Sequence, residues 1–188
     1  NNNLKKLKKN FLAGFNLTCL GDERMYSCML SKYSDSISDE ALIKAYKILK
    51  LKFKRYSCLK RASDERQYNS PGIDLPVTSV FRSKYHEYPE YHTSKDNFKL
   101  VTKKGIRGSF NLMKSTIKII QENSYPKAKV IGEPMLSKRG LYSTISTKNS
   151  WKSSRIFLDT LQYSDGKNSL LKISKLIKIN IKKLEETV

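Results

Sequence analysis

Two apolar runs of strand length stand out along the chain. The residues from Phe11 to Leu20 are almost all apolar and end at Gly21-Asp22, which is typical of a strand buried on both faces. A second run, from Leu75 to Phe81, follows a turn at Pro71-Gly72 and predicts another core strand. The strand predicted from the first run is therefore followed by polar residues at its carboxyl end.

Apolar residues at helical spacing predict two longer helices in the same part of the chain. Ser36 or Ser38 can cap the first helix, and its apolar positions are Leu42, Tyr46, Leu49 and Phe53. Thr102 can cap the second, and one of its faces carries Ile106, Phe110, Met113, Ile117 and Ile120. Helices alternating with buried strands predict an α/β fold.

A smaller domain is predicted at the carboxyl end of the chain. Residues 133–150 are rich in Ser, Thr, Gly and Lys, as in a linker or a β-rich connection. After a helix predicted from Trp151 to Leu161, Ser169 and Asn180 can cap two short helices joined by a tight turn, the pattern of a helix-turn-helix. A wing would lie beyond Val188 or in residues 133–150.

The expected domains are therefore 1–130, an α/β domain, and 131–188, a linker with the helix-turn-helix. The chain begins with Asn1 rather than Met, so we expect a piece of a longer protein. No run approaches the roughly 18 apolar residues that a membrane span needs, and no secretory leader opens the chain.

Charge and cysteine content indicate the kind of partner and the cellular compartment to expect. Thirty-seven Lys and Arg against 17 Asp and Glu give a net charge of +20, which fits either a polyanion partner or the codon bias of an AT-rich genome. Three cysteines without a CxxC pair argue against a disulfide framework and a cysteine zinc knuckle. We therefore expect a cytoplasmic protein.

The candidate chemistry lies around His92, in a loop between a predicted strand and a predicted helix. A neutral imidazole is a good zinc ligand, and Asp96 or Glu90 could orient its second nitrogen. A lone histidine is a weak signal, and His86 is interpreted as a solvent-facing loop residue. The nearby tyrosines could stack on carbohydrate or pack against the core, and packing is preferred. They are Tyr85, Tyr88 and Tyr91.

Several segments in this order resemble a known family. They are Ser63-Asp64-Glu65-Arg66-Gln67-Tyr68, Ser70-Pro71-Gly72, Glu87-Tyr88-Pro89-Glu90-Tyr91-His92-Thr93, Gly132-Glu133-Pro134 and Lys138-Arg139-Gly140-Leu141-Tyr142. The chain is similar, from about Ala13 onward, to the zinc aminopeptidases with a co-catalytic pair of metals. It resembles more closely a bacterial subgroup of aminopeptidase-like proteins of unknown function that end in a winged helix. The genes of that subgroup often lie among polysaccharide-biosynthesis genes.

The resemblance implies the C-terminal half of a zinc-exopeptidase-like α/β/α sandwich, followed by a small winged helix-turn-helix domain. It implies a zinc-dependent hydrolase acting on an amide bond of a small peptide or of an aminoacyl or N-acyl sugar. His92 would be a zinc ligand, with Asp64 and Asp96 as supporting groups beside the metal. Three residues would line the substrate pocket, namely Arg66, Gln67 and Tyr68.

The sequence departs from the family at its metal ligands. Thr18 stands where the peptidases have an Asp that binds the second metal, and Glu65 stands where many have His. A neutral hydroxyl is a poor replacement for a carboxylate on zinc, so one zinc ion, or none, is expected rather than two. The remaining ligands of the family lie upstream of this segment. A fragment of this kind is expected to be inactive alone, and its catalytic residues stay unassigned.

Two further function classes stay open. The fold could serve as a non-catalytic module that binds a ligand or partner. The helix-turn-helix could bind a protein or nucleic acid, but base reading usually uses Arg, Asn or Gln, whereas its second helix carries Lys182 and Lys183 beside Glu185 and Glu186. A protein partner is therefore preferred.

Overall fold

The computed structural model describes residues 3–140 and 150–185. The chain forms two compact units, Asn1–Gln121 and Glu122–Val188. The boundary predicted from the sequence is at residue 130. Each unit contains a hydrophobic cluster of its own.

In its described part, the first unit contains four strands and four α-helices. In chain order these are α1 (Leu4–Asn10), β1 (Gly14–Leu17), β2 (Tyr26–Met29), α2 (Ile37–Ile48), β3 (Phe53–Tyr56), α3 (Glu65–Tyr68), β4 (Val77–Phe81) and α4 (Lys103–Gln121). Strands β1 and β4 lie within the two apolar runs of the sequence, whereas β2 and β3 were not predicted. Within the two described ranges, no helix combines the length and apolar character needed to cross a bilayer.

The strands form one mixed sheet in the order β1-β4-β2-β3. Strand β1 runs parallel to β4 and β2 parallel to β3, while β2 and β4 are antiparallel, with Cys28 opposite Val80. All five residues of β4 are buried, as expected for an inner strand. The carboxyl ends of β1 and β4 therefore meet at the same edge of the sheet.

Helices cover both faces of this sheet. Thr78 Oγ1 donates a hydrogen bond of 2.6 Å to Asp39 in α2, whereas the next residue, Ser79, donates one of 3.2 Å from its Oγ to Glu65 in α3. Successive side chains of a strand point to opposite faces, so α2 and α3 lie on opposite sides of β4. The α/β character predicted from the sequence is present in this unit.

Helix α2 begins at the predicted Ser36 cap but ends earlier than predicted. Ser36 Oγ accepts from the Asp39 amide, and the Asp39 carboxylate accepts from the Ser36 amide, which satisfies two free donors at the helix start. Lys50 has a positive φ of 53°, which ends the helix. Phe53 therefore belongs to β3, where its ring stacks 4.1 Å from that of Tyr46.

Helix α4 is capped by Thr102, whose Oγ1 accepts from the Gly105 amide at 2.9 Å. The buried side of the helix differs from the apolar side predicted from spacing, since Ile106 and Phe110 are 48% and 64% exposed. The buried residues are Gly105, Ser109, Leu112, Met113, Thr116 and Ile119. A Cβ on Gly105 would lie 1.9 Å from the carbonyl oxygen of Gly21, so small residues allow the helix to approach the backbone there.

The second unit contains α5 (Ser150–Tyr163), α6 (Leu170–Leu176) and α7 (Ile181–Glu185). Ser169 caps α6 as predicted, because its Oγ accepts from the Lys172 amide at 3.1 Å. Helices α6 and α7 share a cluster of buried residues, which consists of Leu170, Ile173 and Leu184. A wing is predicted in residues 133–150 or beyond Val188. Residues 141–149 and 186–188 lie outside the described residues.

Candidate functional site

A ring-rich segment, residues 85–92, follows β4 and is called here the aromatic loop. It carries five rings, those of Tyr85, His86, Tyr88, Tyr91 and His92. Tyr91 is central, with its ring centroid 4.9 Å from His86, 5.6 Å from Tyr88 and 4.0 Å from His92. Tyr85 belongs to the buried cluster of the first unit and Tyr91 packs against that cluster. The core therefore anchors a loop whose histidines are exposed.

His92 lies at the end of the aromatic loop with its side chain exposed. Its ring is nearly parallel to that of Tyr91, at an interplanar angle of 15°, and its backbone has a positive φ of 57°. Among the described residues, neither ring nitrogen of His92 has a hydrogen-bond partner. Asp96 is exposed nearby in sequence, and Glu90 bonds Arg24 instead. Stacking, rather than a carboxylate, orients this imidazole.

Two acidic residues tie the aromatic loop to β3 and to the segment that precedes β2. Glu90 accepts two hydrogen bonds from the Arg24 guanidinium, at 2.7 and 3.0 Å, and this pairing lowers the pKa of Glu90. Burial acts to raise the pKa of Glu87, but hydrogen bonds from Tyr56 and Lys54 outweigh it and the pKa is lowered. Both carboxylates therefore stay charged and hold the loop in place.

The carboxyl end of β1 lies against the same loop. Cys19, with a positive φ of 51°, packs on the buried cluster, and its Sγ accepts a hydrogen bond of 3.5 Å from the Tyr88 hydroxyl. Burial, followed by this hydrogen bond, raises the pKa of Tyr88. Thr18 Oγ1 lies 3.6 Å from the same sulfur. At the position where the resemblance to the peptidases implies a metal-binding Asp, Thr18 thus carries a neutral hydroxyl beside the Cys19 sulfur.

Glu65 is the buried acidic residue closest to the predicted site residues in sequence, and its role was missed by the sequence analysis. Only 1% of it is exposed. Its carboxylate accepts five hydrogen bonds, from the amides of Ala62 and Ser63, the Tyr85 hydroxyl, Asn16 Nδ2 and Ser79 Oγ. Burial acts to raise the pKa of Glu65, but the hydrogen bonds, led by that from Ser63, lower it.

This carboxylate joins α3 to β1, to β4 and to the aromatic loop. An acid at the first position of a short helix, two residues after Ser63, was the signal available in the sequence. A buried carboxylate needs several hydrogen-bond donors to stabilise its charge. Glu65 therefore has a structural role in this unit.

The predicted site residues on α3 face different cavities. Asp64 precedes the helix, is exposed and makes no capping hydrogen bond. Arg66 lines a cleft of about 710 Å³, whereas Gln67 and Tyr68 line a separate cavity of about 560 Å³ beside α1. His92 lines neither of these two cavities.

The donors needed for a zinc ion are incomplete in this part of the chain. Structural zinc has four protein ligands and catalytic zinc has three. Among the residues that the structure describes, no group of three His, Cys, Asp or Glu side chains is placed to hold a metal ion. His92 offers one free imidazole, so the described residues do not by themselves fit a zinc ion.

Comparison with known proteins gives consistent assignments for both units. Residues 1–123 match the family described as Domain of unknown function (DUF4910), and residues 123–188 match a winged helix-turn-helix family. A relative from Clostridium acetobutylicum is 35% identical over 168 residues, which cover 88% of this chain and 38% of the relative. It is provisionally named a polysaccharide biosynthesis protein with an aminopeptidase-like domain.

A solved structure shows the same relationship. The crystal structure of a protein from Clostridium acetobutylicum, provisionally described as a peptidase, is similar with a TM-score of 0.68 and 30% identity. The match covers 97% of this chain and 40% of that one. The chain thus spans about two fifths of the length of the relatives it matches. The chain belongs to the DUF4910 family of aminopeptidase-like proteins, and its α/β unit is followed by a winged helix-turn-helix, as the sequence predicts.

Proposed function

We propose that the full-length protein is an amide hydrolase of the aminopeptidase-like type that acts in polysaccharide biosynthesis. The observation that carries this proposal is the exposed imidazole of His92, stacked on Tyr91 in the loop that follows β4. Ligands of α/β proteins commonly bind at the carboxyl ends of strands. An amide of a small peptide, or of an aminoacyl or N-acyl sugar, is the substrate class proposed.

The residues of this chain would position the substrate-facing loop. The Arg24–Glu90 pair fixes one side of the aromatic loop, and the contact of Tyr85 with Phe81, at 5.3 Å between ring centroids, fixes the other. The Tyr91 ring then limits the rotation of His92 by stacking. A loop held in this way presents its imidazole in one orientation, as a site needs.

Zinc enters the proposal as an ion bound by His92, one ion rather than two. Thr18 supports this count, because a neutral hydroxyl is a poor substitute for a carboxylate ligand. The other ligands would have to come from residues outside those described. No step of the reaction is assigned to the residues of this chain.

The zinc content of the purified full-length protein tests this proposal. We expect about one zinc per chain in the wild type and a loss of most of it in the His92→Ala variant. His86→Ala is the matched control, since His86 is exposed in the same loop and has a positive φ of 61°. Equal zinc in the wild type and in His92→Ala would reject the metal site, as would a wild type without zinc.

The alternative is a non-catalytic module in which the fold binds a ligand or partner. The incomplete set of donors among the described residues favours it. Turnover of aminoacyl and N-acyl amides by the full-length protein separates the two functions. Hydrolysis that is lost in His92→Ala and kept in His86→Ala supports the hydrolase, and an inactive protein supports the module.

For the second unit we propose a protein partner. In α7, the exposed side chains of Lys183 and Glu185 lie two residues apart, so the helix presents charges of both signs. A surface of mixed charge suits a protein better than the uniformly negative backbone of DNA.

A further inference from the structure

The cleft of about 710 Å³ has a size that suits a small ligand. It lies where three segments meet, namely the chain after β2, the end of β3 with the turn that follows it, and the chain around α3. Its lining does not include His92 or any residue of the aromatic loop. The cleft is therefore separate from the imidazole considered above.

Charge is concentrated in this cleft. Of the described residues, four with cationic side chains line it and no Asp or Glu does, and the cations are Lys32, Arg55, Arg61 and Arg66. The cavity beside α1 has no charged residue in its lining, although the chain as a whole carries a net charge of +20. The cations of the cleft thus form a local group, and their mutual repulsion would be relieved by an anion.

Among the described residues, three of these cations have no acidic partner. Lys32 pairs with Asp74 at 3.3 Å, and Arg61 donates to the Cys58 carbonyl at 3.4 Å. Across the described parts of the chain, no carboxylate lies within ion-pair distance of Arg55 or Arg66. Their planar guanidinium groups can each donate two parallel hydrogen bonds to a phosphate or carboxylate.

Neutral groups complete the lining. Ser57 Oγ accepts from the Leu59 amide at 3.2 Å, which leaves its proton free to donate to a ligand. Pro71 and the exposed Leu59 add apolar surface. Hydroxyl donors beside apolar surface suit the hydroxyls and the carbon face of a sugar.

We propose that this cleft binds a phosphorylated sugar, with the phosphate held by Arg55 and Arg66. A dianionic phosphate suits four cations better than a single carboxylate does, because it neutralises more of their positive charge. The choice of a sugar rests on the proposed function in polysaccharide biosynthesis. Binding itself requires neither zinc nor hydrolysis, so the two proposals can fail separately.

Calorimetry on the full-length protein tests the proposal, with glucose 1-phosphate as the probe and a chelator present to remove metal ions. We expect the double variant Arg55→Gln/Arg66→Gln to bind at least about tenfold more weakly, since each charged hydrogen bond contributes strongly. The matched control is Arg107→Gln/Lys114→Gln, which removes the same charge from exposed positions of α4. Thermal melting of each variant checks that the fold is intact.

Each outcome decides a part of the proposal. Binding that weakens only in the cleft variant supports the site. Equal weakening in the control variant would assign the effect to the net charge and overturn the proposal, as would a wild type that does not bind. Inorganic phosphate is the second probe, and binding as tight as that of glucose 1-phosphate would overturn the assignment to a sugar. Glucose alone is expected not to bind.

Discussion

At the residue scale, the carboxylate of Glu65 is predicted to be essential for the stability of the first unit. Glu65→Gln replaces one acceptor oxygen by an amide nitrogen, which faces donors such as Tyr85 and the Ala62 amide. We expect the free energy of unfolding to fall by about 1–3 kcal/mol, the cost of leaving buried polar groups unpaired. Asp64→Asn is the control, because Asp64 is exposed. Urea denaturation measures both, and equal losses would contradict this role.

The same carboxylate predicts a pH dependence. The pKa of Glu65 is lower in the folded protein than its ordinary value of 4.5. Its stabilising contribution is therefore full above pH 4.5 and is lost as the pH falls through the folded-state pKa. The difference in unfolding free energy between wild type and Glu65→Gln should shrink on acidification below pH 4.5. A difference that stays constant down to pH 3 would contradict the lowered pKa.

The sequence indicated that His92 lies in a loop after a strand, but it could not indicate what surrounds the ring. The prediction of a carboxylate partner depended on acids close in sequence, and the folded chain pairs Glu90 with Arg24, 66 residues away. Glu65 was missed for a related reason, since three of its five donors come from β1, β4 and the aromatic loop. Contacts between distant segments decide both environments.

At the scale of the elements, the approach of α4 to the chain after β1 depends on Gly105. Gly105→Ala would place a methyl group against the backbone of Gly21, and we expect a loss of about 1–3 kcal/mol of stability from overpacking. Gly108→Ala is the comparison, because the nearest atom there is the Tyr26 hydroxyl, at the end of a side chain that can move. Urea denaturation should find the second variant less damaged. Equal losses would contradict a specific requirement for glycine at the contact between Gly105 and Gly21.

Elements were predictable where apolar residues dominate them. Strands β1 and β4 lie within longer segments in which apolar residues predominate. Strands β2 and β3 have four residues each, and β3 includes the exposed Lys54 and Arg55. The length of α4 followed from its apolar spacing and the Thr102 cap. Its buried side did not, because Gly105 and Ser109 pack through small size, which hydrophobic patterns do not record.

At the scale of the whole molecule, the excess of 20 cations predicts weak binding to any DNA at low salt. The counterions released from the phosphates drive such binding, so it should weaken steeply as the salt concentration rises. We expect a gel shift in about 50 mM salt that is lost near 200 mM and is equal for random and genomic fragments. A shift selective for one sequence at physiological salt would contradict the preference for a protein partner.

Helix α3 contributes residues to two different spaces, the basic cleft and the cavity beside α1. Substitutions at neighbouring positions of α3 therefore affect different spaces. The effect of substituting Arg66 is attributed to the cleft, whereas the effect of substituting Gln67 or Tyr68 is attributed to the cavity beside α1. Mutagenesis that scans these consecutive positions should be scored as two separate experiments, because one average over the helix would merge unrelated effects.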